Sequence, residues 1–197
     1  MKKITFLLAC LCIGLFSCNK KETFIITHNQ IGQVTLQTTH EQLVKLYGDK
    51  SLKETMDEGT GALGTEVLFK NANNNIHITW QTSKKVKPVI IKTDNKNSEW
   101  KTKDGIHIGT TLSEVEKING ASFKIMGYEI DRDLAGTVTD WGKGTLNDAK
   151  IGFQFELTKE VGNDYMKLIG DKGISTNNEI LKKAEPVVQS IFIVQQQ

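Results

Sequence analysis

Cysteine is missing from most of this 197-residue chain: its three copies, Cys10, Cys12 and Cys18, all lie within the first eighteen positions. The remainder has no disulfide, no thiolate metal site and no thiol nucleophile to draw on, so its fold is expected to hold by packing alone. Arginine is scarcer still, with Arg132 the single example. A surface that grips phosphates needs a basic excess and favours the bidentate arginine fork, which excludes nucleic acid as the expected partner. No Gly-x-Ser-x-Gly elbow and no Gly-x-x-x-x-Gly-Lys loop occurs, and His28, His40, His77 and His107 are scattered without zinc-ligand spacing. These absences predict a non-enzyme with neither cofactor nor metal. A hydrolase whose residues follow no such motif is the third-ranked alternative.

Long apolar runs are missing too. Lys2 and Lys3 precede a stretch from Ile4 to Phe16 that stops at Ser17-Cys18 and is followed by polar Asn19-Lys20-Lys21-Glu22. About 20 apolar residues are needed to cross a bilayer, and this stretch falls well short, which is the layout of a cleaved export signal. Leu15-Phe16-Ser17-Cys18 resembles the bacterial lipobox. That resemblance implies cleavage before Cys18, lipid (including palmitate-like acyl chains) on Cys18, and anchorage in the cell envelope, with the outer membrane favoured and its periplasmic or surface face left open. Each buried methylene contributes roughly 0.8 kcal/mol, so two or three acyl chains anchor firmly. The plainer alternative is a secreted protein cleaved near Cys18. Residues 1–17 are assigned as signal and 18–23 as tether. Removing 1–17 takes away Lys2 and Lys3 and no acid, which cancels the precursor's net charge of +2.

Beyond the tether the chain repeats itself at an offset of 72 residues, counted from the sequence. Val34-Thr35-Leu36-Gln37-Thr38-Thr39-His40-Glu41-Gln42-Leu43-Val44-Lys45-Leu46-Tyr47-Gly48 aligns with Ile106 to Gly120, with Thr38, Thr39, Lys45 and Gly48 recurring identically. Thr39 with Gln42, and Thr111 with Glu114, read as capping boxes that each start a short helix. Leu43 and Leu46, and Val115 and Ile118, form i, i+3 apolar pairs, while Gly48 and Gly120 stand where a glycine ends a helix. Helices this short need a surface to pack on, most simply a sheet. Gly64 to Phe69 aligns with Gly136 to Trp141 at the same offset. Ile76 to Trp80 and Ile151 to Leu157 alternate with period two and are expected to be half-buried strands. Gly59-Thr60-Gly61, Asn71 to Asn75 and Gly142-Lys143-Gly144 read as hairpin turns, which predicts antiparallel sheets. Lys84 to Ile91 is expected as one more strand, Asp164–Leu168 and Asn178–Ala184 as short helices, and Val187–Val194 as a last strand. The resulting fold class is α+β: two tandem units, each a capped helix on an antiparallel meander, spanning 24–94 and 95–197, the second carrying the C-terminal helices and strand.

A strand ending in Thr, a capped helix, a glycine and a meander, twice in tandem, resembles the SmpA/OmlA (BamE-like) lipoprotein family and the two-repeat β-lactamase inhibitor proteins. The likeness covers residues 32–82 and 104–157 and is carried best by Ile108-Gly109-Thr110-Thr111-Leu112-Ser113-Glu114-Val115. No proline follows Gly48 or Gly120 where that family has one. The resemblance implies a shared fold, and fold alone names no partner. The expected function is that of a membrane-anchored, non-catalytic lipoprotein that binds a protein partner in the envelope or scaffolds an assembly there.

The candidate binding residues are Trp100, Tyr128 and Trp141, because exposed aromatics dominate protein interfaces, together with Asp131, Arg132, Asp133 and Asp140. Trp80 and Trp141 read more readily as core than as contact, and Trp100 is undecided. Glu129, Asp131, Asp133 and Asp140 form the one acidic group suited to a small ligand or a cation. That is the runner-up function, set against a solvated hairpin in which Arg132 makes local ion pairs. His77, between Ile76 and Ile78, is expected to face solvent, and His40 to be exposed on the first turn of its helix.

Overall fold

The computed structural model describes residues 23–57, 60–128, 134–170 and 173–195. The expected signal, Cys18 and the tether up to residue 22 lie outside the described residues, as do Glu129, Asp131, Arg132 and Asp133. The fold is mixed α+β, mostly sheet with few helices. Three short strands, β1 (Ile25–Thr27), β2 (Gln30–Ile31) and β3 (Val34–Thr35), lead into α1 (His40–Tyr47). A meander follows, of β4 (Leu52–Met56), β5 (Leu63–Val67), β6 (Ile76–Trp80) and β7 (Pro88–Thr93). Then come β8 (Lys101–Thr102), α2 (Leu112–Asn119), β9 (Lys124–Ile125), β10 (Val138–Asp140) and β11 (Gly152–Glu156). The chain closes with β12 (Ile174–Ser175), α3 (Glu179–Lys183) and β13 (Val187–Val194).

Local chemistry accounts for the helix starts. Thr39 accepts from the Gln42 backbone N–H while the Gln42 side chain accepts from the N–H of Thr39, and Thr111 with Glu114 makes the same pair of bonds. Just upstream, the N–H groups of Thr35 and His107 donate to Thr38 Oγ1 (2.9 Å) and Thr110 Oγ1 (3.0 Å). In return Thr38 and Thr110 donate their N–H groups to the carbonyls of Thr35 and His107. These turns aim each chain segment into its helix. Gly48 and Gly120, both at positive φ, close the helices by donating to Val44 and Glu116 carbonyls.

The largest sheet has the order β11-β13-β7-β6-β5-β4 and is antiparallel throughout. Two smaller sheets flank it, β3-β2-β1-β8 and β10-β9-β12. Antiparallel pairing is not universal: β1 and β8 run parallel, because no hairpin joins them and most of the first half of the chain separates them. β7 begins at Pro88 and not at Lys84, since Lys84 to Lys87 form the turn out of β6, with Lys85 at φ +50°. The short helix expected over Asp164–Leu168 is a 3-10 helix that starts two residues earlier, Gly162–Leu168.

One face of the large sheet is the core. Ile76, Ile78 and Trp80 of β6, Ile91 of β7, Phe153 and Phe155 of β11, and Ile191 and Ile193 of β13 are all buried, together with Leu43 of α1 and Leu112 and Val115 of α2. Each such side chain contributes roughly 1.5–3 kcal/mol, which is how the described residues, none of them cysteine, hold together.

β10, which aligns with β5 in sequence, is not a strand of this sheet. A single bridge, Thr137 to Gln154, ties its approach to β11. The cause is Gly136, at φ +73°: its carbonyl accepts from Phe155 N–H (3.0 Å), and a side chain there would run into the Phe155 carbonyl. The crossing therefore requires glycine. Gly136→Ala is expected to destabilise by at least about 2 kcal/mol, from left-handed backbone plus overlap. Gly61→Ala, also at positive φ but with open space around it, should cost only about 1 kcal/mol. Urea denaturation of both variants measures the difference.

Candidate functional site

The opposite face of the large sheet is open. Because side chains alternate along a strand, the burial of Ile76, Ile78 and Trp80 sends His77 and Thr79 to this face. The register then sets His77 beside Lys92, Lys92 beside Phe192, and Phe192 beside Gly152. One row across four strands thus brings together residues far apart in sequence. A groove of about 570 Å³ runs over this face, floored by β6, β7, β13 and β11 and flanked by Asp57, after β4, and by Leu134 and Thr137, before β10.

The charged residues of the groove are paired with one another. Lys92 Nζ is 2.9 Å from Asp94 Oδ2, His77 Nε2 is 3.6 Å from Asp94 Oδ1, and Lys96 Nζ is 2.8 Å from Glu156 Oε1. Asp57 Oδ1 accepts from both the N–H and the hydroxyl of Thr60. On the uncharged side, the Phe192 ring lies over Gly152, where any Cβ would overlap it. Gln154 donates to the Ala135 carbonyl (2.9 Å) and accepts from Ser190 Oγ (3.2 Å), which ties the loop carrying Leu134 to the sheet.

The sequence-predicted residues go elsewhere. Trp100 is 2% exposed. Its indole donates to the Asn74 carbonyl (2.9 Å), and its rings meet Phe24 and Phe69 edge-on, so it is a core residue and not a contact. Tyr128 is also buried, and burial, followed by the proximity of Tyr165, raises its hydroxyl's pKa above the ordinary tyrosine range. Trp141 is partly buried against Phe123 and Phe153. Asp140 is exposed, with Lys124 at 3.7 Å and its Oδ1 accepting from Gly142 N–H. None of these four lines the groove. Of the groove residues, sequence reasoning singled out only His77. The signal it lacked was register, since Ile90, Lys92 and Phe192 each read as ordinary strand positions until β7 is placed against β13.

A second polar cluster sits at the other edge of the sheet, on its covered side. Glu54 receives His40 Nε2 at 3.1 Å, the Thr65 hydroxyl and the Lys85 ammonium, and Trp80 Nε1 in turn donates to Thr65 Oγ1 (2.9 Å). It clamps α1 and the β6–β7 turn onto β4, and His40 is accordingly only partly exposed. No family model, no curated protein and no solved structure matches this chain.

Partial burial of Glu54 works to raise its carboxyl pKa, but the Lys85 ammonium and then His40 outweigh it and leave the pKa below the ordinary carboxylate value. A carboxylate depressed in the folded state contributes stability above its unfolded pKa and loses it as pH falls towards the folded one. Melting temperature should therefore fall more steeply between about pH 5 and pH 3 in the parent than in Glu54→Gln. Identical profiles over that window would show that the clamp is not ionic.

Proposed function

We propose that this chain is a non-catalytic lipoprotein of the cell envelope, held to the outer membrane by lipid on Cys18, whose open sheet face binds a protein partner. The observation that carries this reading is the groove: a large sheet buries one face on its helices and leaves the other as a cleft lined by residues of four strands and two loops. A soluble domain that needed the sheet only as core has no use for a shaped second face.

The proposal includes the tandem arrangement. What supports it is the pairing scheme, in which β4-β5-β6-β7 is matched by β9-β10, then β11 and β13, with β7 and β13 adjacent. A 3-10 turn precedes both β6 and β11, and the helix starts share the same turn and cap bonds. On this scheme Asp57 and the pair Leu134 and Thr137, which flank the groove, come from corresponding places, one in each unit. The likeness to BamE-like lipoproteins and tandem inhibitor proteins belongs to the same proposal, and it too favours protein binding over catalysis.

Two measurements test it. Cys18→Ser is expected to move the protein from the membrane fraction into a wash-released fraction; retention through a high-salt or carbonate wash would refute the anchor. A photoreactive residue at Gln189, in the groove, should give a protein adduct in intact cells, while one at exposed Lys50, outside it, should not. Equal yields at the two positions would remove the groove from consideration.

A further inference from the structure

The two edges of the large sheet are finished differently. At β11 the chain just before β10 lies alongside: Phe155 N–H donates to the Gly136 carbonyl, and Thr137 bridges to Gln154. At the opposite edge β4 pairs with β5 and with no other strand. Leu68 N–H donates to the Ser51 carbonyl and Asp57 N–H to the Ala62 carbonyl, one at each end of that pair. Bonding alternates along antiparallel strands, so Lys53 and Thr55 turn their backbone groups to β5 while Glu54 and Met56 turn theirs outward. Among the described residues nothing bonds the N–H or the carbonyl of either.

Free N–H and carbonyl groups at strand spacing are the complement of another extended backbone, so the occupant such an edge fits is a further strand. Neither proline nor a bulge interrupts β4, and Met56 is 64% exposed. The side chains say which strand fits. Lys53, Thr55 and Asp57 alternate onto the open face, while Glu54 and Met56 lie on the covered one. Two copies of β4 can meet antiparallel about a two-fold axis. Centred on Lys53 or on Glu54, the pairing would set that charge directly against its own copy, which opposes it. Centred on Thr55, it sets Glu54 beside Met56 of the second copy and Met56 beside Glu54, so that all the outward groups bond one another. Lys53 then stands opposite Asp57 of the second copy, and Thr55 opposite Thr55, both favourable cross-strand pairs.

We propose that β4 of one chain pairs antiparallel with β4 of a second copy, centred on Thr55, which joins two large sheets edge to edge with their open faces on the same side. Lysine on an edge strand ordinarily wards off pairing; opposite Asp57 it selects the register instead. A seam this short buries little surface, which makes the association reversible. It is independent of what the groove binds.

Cysteine crosslinking of the full-length chain in intact cells tests the pairing. Under mild oxidation Thr55→Cys should yield a disulfide-linked species of twice the chain's mass, because opposed residues of a non-bonded pair stand about 4.5 Å apart at Cα. The parent, with its cysteines at or before residue 18, sets the background. Lys53→Cys should stay at that background, since its two copies would lie roughly 13 Å apart along the strands. Combined with Thr55→Cys, Met56→Pro removes an outward N–H at an edge position open to proline and should lower the yield about tenfold while leaving the melting temperature within a few degrees. Lys53→Glu, an exposed change that faces Asp57 with a like charge, should lower it roughly fivefold. Background yield at Thr55→Cys, a dimer at Lys53→Cys in its place, or a yield indifferent to both Met56→Pro and Lys53→Glu would overturn the pairing. A mixed disulfide of another mass at Thr55→Cys, in place of the dimer, would overturn the second copy as the occupant.

Discussion

The pairing of β7 with β13 is the contact on which the rest of the molecule depends. Four register pairs, Thr93 with Ile191, Lys92 with Phe192, Ile91 with Ile193 and Ile90 with Val194, join a strand from the middle of the chain to the last one. Without them β4 to β7 would end in a bare edge beside a separate hairpin, and an exposed edge of that length invites pairing with other chains. With them, Ile91, Ile191 and Ile193 close the core from one side of the sheet, while Ile90, Lys92 and Phe192 come together on the other. Core and groove are thus two faces of one register, and a slip by a single residue would exchange them. Pairing the last strand to the middle of the chain is also a long-range contact, of the kind that raises contact order.

Around that seam the polar groups are handled by local devices. The buried Asn74 donates to Glu99 Oε1 and accepts from Glu99 N–H, and its own carbonyl takes the Trp100 indole. This lock draws the polar 95–100 stretch against the first half of the chain and delivers β8 to β1. Buried Asn119 does comparable work in the second half, bonding the carbonyls of Ala121 and Trp141 and the N–H of Leu146. In both places a satisfied amide takes the position that a disulfide could occupy in a secreted protein, which suits a chain with no cysteine beyond residue 18.

What could be read from sequence follows the range of the interactions involved. Local chemistry was legible: the helix starts at Thr39 and Thr111, the glycines after Tyr47 and Asn119, and the period-two strands. Val187–Val194 was legible as a strand because Pro186 cannot continue the α3 helix and the residues after it are apolar. Trp100 was not, because its neighbours Phe24, Phe69 and Asn74 lie 26 or more residues away; a tryptophan in a polar stretch looks like surface until Asn74 is brought to its indole. The departure of β10 from the large sheet depends on the approach of Gly136 to Phe155, and the alignment of Gly136 with Gly64 hides it, since Gly64 sits inside a strand. The groove was the least legible of all, because cross-strand neighbours are set by register and no single segment contains them.

The two sides of the seam also differ in chemistry. At the offset of 75 that aligns β6 with β11, His77 corresponds to Gly152 and Thr79 to Gln154, and Lys92 lies directly opposite Phe192. The β6–β7 side of the groove carries imidazole and ammonium beside Ile90, whereas the β13–β11 side carries an aromatic ring over a glycine, an amide tied to Ser190 and the carboxylate of Glu156. If the halves descend from one unit, as proposed, the divergence of His77 from Gly152 makes the two sides of the groove chemically unequal. The glycine is the operative half of that change, since only the absence of a Cβ lets the Phe192 ring pack down on β11.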